Sequence, residues 1–520
     1  MMKSSHHTSG LRSDFTASVF MSVIGIISFL LIHVVGVFFI VMAPELGLFL
    51  LSYAFILVLG LVTLRLAAPL APLWVRLLIV VVLGDFILSY GFTNFSVGVG
   101  SARVTVAELV LLVTLMWIAL RSWSAFWITG ASAFLIIGYA LPGLILHLPM
   151  NLSQFGVTAA RDALPLVDSL FFFAGVAVVA ATRNLEQWHA WRHRFLFLLL
   201  IGCLIYLPLY PLQQSILMYS PRVTGFQQSV PLFGYFTTGN VLALSGLMAA
   251  ILIPYQFSWK ISTKASRGII LLAFVVFAIA FVSMQSRATY IVLFVSIIVL
   301  TLTGHGLAVR RLFLTVIAIV LTLVMLEVSG LELKGRVGTI SLDMIVNQLE
   351  SATGQGGHEG GRKGVEERLH WWSYSISRWS SSPESIVAGI GFGEALTDFS
   401  VMGAGGTPVV VREPHNSYIS VLTRTGLVGF ILWVIFQTLL ILSVWRRYKH
   451  YRKEKNDVEA NYWLWIFLLF TSILITALVE PVFESPHFAV PYFFLAGLCL
   501  GEIARAKNNW VDINSGHENR

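Results

Sequence analysis

The chain has 520 residues, of which 57% are hydrophobic and only 12% are charged, and its mean hydropathy is +0.81. Apolar runs of around 20 residues recur along the chain, and each can cross a hydrocarbon core of about 30 Å, which excludes a soluble protein. The net charge is +8, but the basic residues lie in short loops between apolar runs, which indicates membrane orientation and gives no support to a nucleic-acid partner.

The sequence predicts an all-α polytopic membrane protein with about fourteen transmembrane helices, in a range of twelve to fourteen. Residues 1–17 are expected to form a cytoplasmic tail, because the apolar run that follows is too long for a signal-peptide core. The first eleven predicted spans, within 18–330, are 18–42, 46–64, 72–90, 104–120, 124–147, 165–182, 195–213, 232–254, 268–285, 288–306 and 312–330. The last three, within 417–504, are 417–444, 462–480 and 487–504, and a cytoplasmic tail, 505–520, follows them.

The distribution of lysine and arginine orients these spans. A cytoplasmic N-terminus places the basic clusters 183–194, 260–267, 310–311, 446–455 and 505–507 on one side of the membrane. Basic loops are enriched on the cytoplasmic side, and the reverse orientation would put every one of these clusters outside. The segment between the eleventh and twelfth spans is therefore predicted to be extracytoplasmic.

This extracytoplasmic segment, residues 331–416, is too long and too patterned to be a linker. Apolar residues recur in it at helical spacing, at Val365, Leu369, Trp372, Ile376 and Trp379. Such a stripe, with its aromatic residues, predicts a helix that lies on the membrane surface or caps the bundle and ends at 380–383. The glycines in 354–364 and 389–393 are expected to permit tight turns and mobility.

Three polar residues fall on the predicted outer side. Arg222 lies in the loop between spans seven and eight, Arg287 at the turn between spans nine and ten, and His415 at the end of the large loop. Guanidinium groups are planar forks that bind phosphate oxygens, and histidine titrates near neutral pH. The pattern predicts an anion site with a titratable group beside it. Alternatively, the arginines pair with carboxylates or lie at helix ends, and the histidine is structural.

No cofactor and no metal ion are expected. His358 and His370 lie near acidic residues of the loop, but their spacing matches no zinc-binding motif. No phosphate-binding or dinucleotide-binding glycine motif occurs in a suitable context. Glu480 and Glu484, after span thirteen, could line the same outer cavity or could be solvated residues at a helix end.

Several short motifs resemble the core of the O-antigen ligase and Wzy-type polymerase superfamily, which are membrane glycosyltransferases of the GT-C type. They are ERLHWW at 367–372, Pro383, GIGFG at 389–393, PHNSY at 414–418 and RTGLVG at 424–429. Ser286-Arg287-Ala288 matches the Ser-Arg element of that superfamily, and the loop at Arg222 resembles its earlier arginine loop. The resemblance covers roughly residues 222–501, and before this region the chain matches only as a series of membrane helices.

The resemblance implies an enzyme of the bacterial inner membrane whose active site faces the periplasm and whose donor is an undecaprenyl-diphosphate-linked glycan. It implies that Arg222 and Arg287 hold the diphosphate and that His415 works on the acceptor hydroxyl. Histidine, with an ordinary pKa of about 6.5, can accept a hydroxyl proton as the new bond forms. Fixed guanidinium groups can stabilise the leaving diphosphate without a metal ion. Further candidates for the acceptor site or the loop are Arg368, Asn416, Tyr418 and Glu480.

The favoured hypothesis is a polymerase that joins lipid-linked repeat units into exopolysaccharide or O-antigen. A ligase that transfers the glycan to lipid A-core, or to protein, would share the donor chemistry and stays open. A lipid-glycan flippase or other transporter is less favoured, because its polar residues should lie toward the bilayer midplane, and a non-catalytic scaffold gives the arginines no role. The expected partners are the lipid-linked donor, a glycan or lipid A-core acceptor, membrane lipids, and a chain-length regulator and flippase, with no nucleic acid.

Overall fold

The computed structural model describes residues 71–93, 96–99, 102–121, 127–182, 185–206, 222–224, 229–231, 286–330, 339–353, 359–402 and 408–515, together with 241, 245, 248 and 252. Helices dominate these residues, and the strands among them form three separate two-stranded antiparallel hairpins.

The first part of the described chain is a series of membrane-type helices and two hairpins. The elements are α1 (Leu73–Leu88), α2 (Tyr90–Thr93), β1 (Ser96–Val99), β2 (Ala102–Thr105), α3 (Val106–Arg121), α4 (Ala131–Pro142), a π-helical turn (Gly143–His147), α5 (Leu148–Phe155), α6 (Val157–Ser169), α7 (Phe171–Ala180), α8 (Leu185–Tyr206), β3 (Arg222–Thr224) and β4 (Ser229–Pro231). Strand β1 pairs with β2, and β3 pairs with β4.

The second part carries the large loop and the last helices. Its elements are α9 (Arg287–Leu302), α10 (Gly306–Ser329), α11 (Leu342–Thr353), α12 (Glu359–Trp379), α13 (Pro383–Ala388), β5 (Ser400–Met402), β6 (Pro408–Val410), α14 (Ser417–Lys453), α15 (Asp457–Thr476) and α16 (Pro486–Ser515). Strand β5 pairs with β6, so three helices and a hairpin lie between α10 and α14 in the part of this segment that the structure describes.

Six helices in the described residues are long and apolar enough to cross a membrane. They are Ala131–Phe155, Val157–Ala180, Gly306–Ser329, Ser417–Lys453, Asp457–Thr476 and Pro486–Lys507. The chain is thus a helical, multi-pass membrane protein, as predicted. The predicted spans 18–42, 46–64 and 268–285, and nearly all of 232–254, lie outside the described residues, so the number fourteen stays a prediction.

The apolar core lies where α1, α7, α15 and α16 pack together. Helix α16 runs along α7, and the largest fully buried side chains include Trp463, Trp465, Phe172 and Tyr492. By contrast, α10 leaves most of its apolar side chains exposed, including Val328, which is 84% exposed. Exposing so many apolar side chains to water is unfavourable, so this face of α10 is suited to contact with lipid.

The amphipathic helix predicted in the large loop is present as α12. It ends at Trp379, and Ser382 then caps α13 through a reciprocal hydrogen-bonded pair with Ser385. Two details differ from the expectation. The residues of α12 that are buried are Trp371 and Ser375, whereas Leu369 in the predicted stripe is 55% exposed. The glycines of 354–364 were expected to form turns, but residues 359–364 are already part of helix α12.

A break in α14 joins the loop to the membrane bundle. Gly426 has a φ of 65°, and the backbone there departs from helical geometry. The N–H groups of Ile390 and Gly391 donate to the carbonyls of Thr423 and Arg424, at 2.9 and 3.2 Å. A side chain at Gly389 would come within 2.3 Å of the Arg424 carbonyl oxygen, so the close approach requires glycine.

Candidate functional site

His415 lies in a strained turn just before α14. Its φ of 53° is in the left-handed region, which is uncommon for a residue with a side chain. Asn416 then begins the helix, because its side chain accepts hydrogen bonds from the Tyr418 and Ile419 N–H groups at 3.0 and 3.2 Å. The imidazole lies 5.5 Å, between ring centres, from the buried indole of Trp371. The position of the His415 ring is therefore fixed by Trp371, which packs against it, and by Asn416, which starts the helix that follows it.

The Glu480 carboxylate is shared between a histidine and an arginine. One oxygen lies 3.4 Å from His415 Nδ1, and the other accepts a hydrogen bond from Arg368 Nη2 at 3.3 Å. The three side chains are 26–33% exposed, so they are accessible from one side. When Nδ1 carries the proton and faces Glu480, Nε2 presents its lone pair for another proton.

Arg287 belongs to the same group of charges. It is the first residue of α9, and its charge interacts repulsively with Arg368 and attractively with Glu480. A helix N-terminus also favours an anion, because its first N–H groups point outward. Two arginines thus lie near one carboxylate, so the positive charges outnumber the negative ones among these residues.

The other predicted site residues with described side chains, Asn416 and Tyr418, make contacts of a different kind. Arg222 opens strand β3, and its side chain lies outside the part of the structure that is described. The amide of Asn416 is occupied in capping α14. The hydroxyl of Tyr418 donates to the Leu474 carbonyl at 3.2 Å, and its ring packs edge-on against Trp433. The roles of Asn416 and Tyr418 at an acceptor site stay predictions, and the arginine that accompanies Arg287 in the described geometry is Arg368.

A second charged network joins helix α6 to the residues on either side of His415 in the chain, and no single motif in the sequence predicted it. Asp162, on α6, accepts hydrogen bonds from Arg412 at 2.6 and 3.2 Å and from the Gly393 N–H at 3.1 Å. Arg424 lies 3.1 Å from the same carboxylate and donates to Glu413 at 3.0 Å. These residues link the membrane bundle to the segment that carries the histidine.

Glu484 is the titratable group beside this network. Its carboxylate accepts a hydrogen bond from the Ser417 hydroxyl at 2.5 Å. Burial raises the pKa of Glu484 to about 7, and the nearby Glu413 carboxylate adds to the rise. Its carboxyl group is therefore partly protonated near neutral pH.

These features define a helical, multi-pass membrane protein in which Arg287, Arg368, His415 and Glu480 form one group of charged and polar side chains. Residues 272–434 match the family model described as O-antigen ligase. The matched region contains Arg287, Arg368 and His415, whereas Arg222 and Glu480 lie outside it. This match confirms the resemblance to the O-antigen ligase and polymerase superfamily and supports a ligase-type or polymerase-type glycan transfer. A search of curated proteins found no match.

Proposed function

We propose that the protein is an inner-membrane glycosyltransferase that polymerises oligosaccharide repeat units carried on undecaprenyl diphosphate, at the periplasmic face. The observation that carries this proposal is the bridge of Glu480 between His415 and Arg368, with the charge of Arg287 beside it. It supplies an anion site and a proton acceptor in one place, and three of its four residues lie in the region that matches the family.

The donor diphosphate would bind to Arg287 and Arg368. Their positive charges repel one another, and an anion placed between them relieves that repulsion while each guanidinium offers paired N–H donors. The charge on the diphosphate grows as the bond to the sugar breaks. Fixed arginines in a partly enclosed site stabilise this charge, which is the task that a metal ion performs in many other transferases. Arg222 is proposed to add a further contact from its loop.

The acceptor hydroxyl would be activated by His415. Its oxygen attacks the anomeric carbon of the donor sugar and forms the new C–O bond, while the bond to the diphosphate oxygen breaks and its electron pair leaves with the lipid diphosphate. The hydroxyl proton passes to Nε2 of His415. Glu480 stabilises the resulting imidazolium through Nδ1, from a distance of 3.4 Å in the structure.

The decisive experiment uses purified protein in detergent with one lipid-diphosphate-linked repeat unit as both donor and acceptor. A ladder of longer lipid-linked glycans is expected if the protein is a polymerase. Transfer that occurs only after lipid A-core or protein is added would favour a ligase. If neither condition yields transfer, and the donor crosses a vesicle membrane instead, the protein is a transporter.

Within that assay, His415→Gln tests the proposed base. Glutamine keeps hydrogen bonding but accepts no proton, so transfer is expected to fall by about 10²–10⁴-fold with donor binding retained. Wild-type transfer is expected to persist in EDTA. The matched control is Arg378→Gln, which removes an ion pair with Glu394 elsewhere in the loop and should leave transfer unchanged. Near wild-type activity of His415→Gln, or activity lost in EDTA and restored by a divalent ion, would contradict this mechanism.

A further inference from the structure

We infer that Asp162, on a membrane helix away from the proposed reacting groups, is the positioning residue that holds His415 in its productive conformation. This inference rests on the proposed role of His415. It starts from the left-handed backbone of that residue, with φ at 53°. Such a conformation is unfavourable for a residue with a Cβ and persists only when the neighbouring chain is fixed.

The residues immediately before His415 are held by side chains from three directions. The Pro414 carbonyl accepts a hydrogen bond from Trp372 Nε1 at 2.8 Å. Glu413 accepts from Ser420 at 3.1 Å and from Arg424 at 3.0 Å. Arg412 is held through Asp162, so the whole segment is anchored to the bundle.

The Asp162 carboxylate is shared by three groups of this network, the side chains of Arg412 and Arg424 and the backbone of Gly393. Its carboxylate is 3% exposed and meets both Arg412 and Arg424, whose side chains are 17% and 6% exposed. It also accepts from the Gly393 N–H, so the glycine segment and the histidine segment share one buried acceptor. Removing its charge would leave Arg412 without its carboxylate partner and Arg424 with Glu413 alone, and both segments would lose one of the contacts that fix them.

The residues after His415 are anchored independently of Asp162. The Ser417 N–H donates to the Ala477 carbonyl at 2.9 Å, and the Ser417 hydroxyl accepts from the Phe483 N–H at 3.1 Å. Loss of Asp162 should therefore release the histidine from one side only. The expected result is a misplaced imidazole in a folded protein, and misplacement of about 1 Å can cost about 10²-fold in rate.

The test compares Asp162→Asn with Asp162→Glu, which keeps the charge, and with Arg452→Gln, which breaks an exposed pair with Asp457 at the far end of α14, as the control outside the network. For Asp162→Asn, kcat should fall by about 10–10²-fold with the donor KM within about twofold of wild type. Asp162→Glu should recover at least part of kcat. Hydrogen–deuterium exchange of full-length protein should accelerate in peptides covering 389–394 and 411–416 and stay unchanged in α15 and α16.

Two results would overturn the inference. One is unchanged exchange at 411–416 in Asp162→Asn. The other is loss of folded protein in proportion to loss of activity, with kcat per folded molecule unchanged, which would make Asp162 merely structural. If wild-type protein transfers no glycan, the proposed function fails, while the exchange measurement still decides whether Asp162 holds the His415 segment.

Discussion

The two ends of the α14–α15 hairpin both carry a group of paired charges, yet the two groups differ in how far they are buried. At the end where α15 begins, Arg192 donates to Glu502 at 2.6 Å and to Glu459 at 2.5 Å, and its guanidinium lies 4.0 Å from the Tyr462 ring centre. At the other end, Glu480 is divided between Arg368 and His415 at longer distances.

The Arg192 cluster and the Glu480 group differ more in the solvent exposure of their side chains than in the residue types they contain. The Arg192 and Glu502 side chains are 2% and 1% exposed, and every charge in that cluster faces an opposite charge across three helices. At the Glu480 end the Arg368, His415 and Glu480 side chains are about a quarter to a third exposed, and the charge of Arg287 lies near the Arg368–Glu480 pair. A closed cluster fixes helix packing, whereas an open group with excess positive charge can receive an anion.

The largest effect is expected from breaking the closed cluster. Arg192→Gln leaves the Glu459 and Glu502 carboxylates buried without their cation, which costs about 3–5 kcal/mol. Thermal unfolding in detergent should show a marked loss of folded protein, with transfer per remaining folded molecule unchanged. Arg452→Gln, which breaks the exposed pair with Asp457 at the same end, should change stability by less than about 1 kcal/mol. Equal stability of the two variants would contradict the comparison.

Next in size is the effect of Arg287→Lys at the open end. Lysine keeps the positive charge but lacks the planar guanidinium with its paired donors. The loss of one or two charge-assisted hydrogen bonds to the diphosphate should lower transfer by about 10–10²-fold. This decrease should be nearly as large as that in Arg287→Ala. Steady-state kinetics with the lipid-linked donor measure this change. Arg310→Lys, at the exposed start of α10, is the control. Full activity of the lysine variant would reduce Arg287 to an electrostatic role.

A smaller effect is expected from Glu480→Gln. The amide still accepts a hydrogen bond from Arg368, but it no longer stabilises a protonated His415, so kcat should fall by about tenfold, equivalent to about 1.4 kcal/mol in the transition state. Thermal stability should change little, because the group is partly exposed. A fall in stability as large as that of Arg192→Gln would show that the open end is also a structural cluster.

The last effect is on stability and concerns pH and Glu484. Since its pKa is raised from 4.5 to about 7, the folded state holds this proton more tightly than the unfolded state. The stabilisation is complete below about pH 4.5 and is lost as the pH rises through about 7. Glu484→Gln should therefore weaken the fall in Tm between pH 5 and pH 8, by an order of a few degrees. Identical pH profiles in the two proteins would contradict the raised pKa.

Local signals in the sequence predicted the helices well. Apolar runs gave the membrane helices from α14 to α16, and the serine run before Pro383 marked the end of α12. Motif resemblance marked Arg287, Arg368 and His415 as candidates, and the structure places them around Glu480. Their chemical roles remain predictions.

Contacts between distant residues could not be predicted in the same way. Asp162 and Arg412 are 250 positions apart, and nothing in the sequence around Asp162 indicates which residue it pairs with. The buried face of α12 was predicted only in part, because Trp371 is buried against Phe399 and His415 whereas Leu369 of the predicted stripe is exposed. Only the packing of the loop on α14 decides which tryptophan turns inward.

The break at Gly426 has a consequence for how the membrane protein is assembled. The carbonyls of Thr423 and Arg424 accept hydrogen bonds from Ile390 and Gly391, which belong to a segment synthesised before α14. An unsatisfied carbonyl in a water-poor setting costs several kcal/mol. The N-terminal end of α14 is therefore completed by a segment that precedes it in the chain, and this helix reaches its final position only once residues 389–391 lie against it.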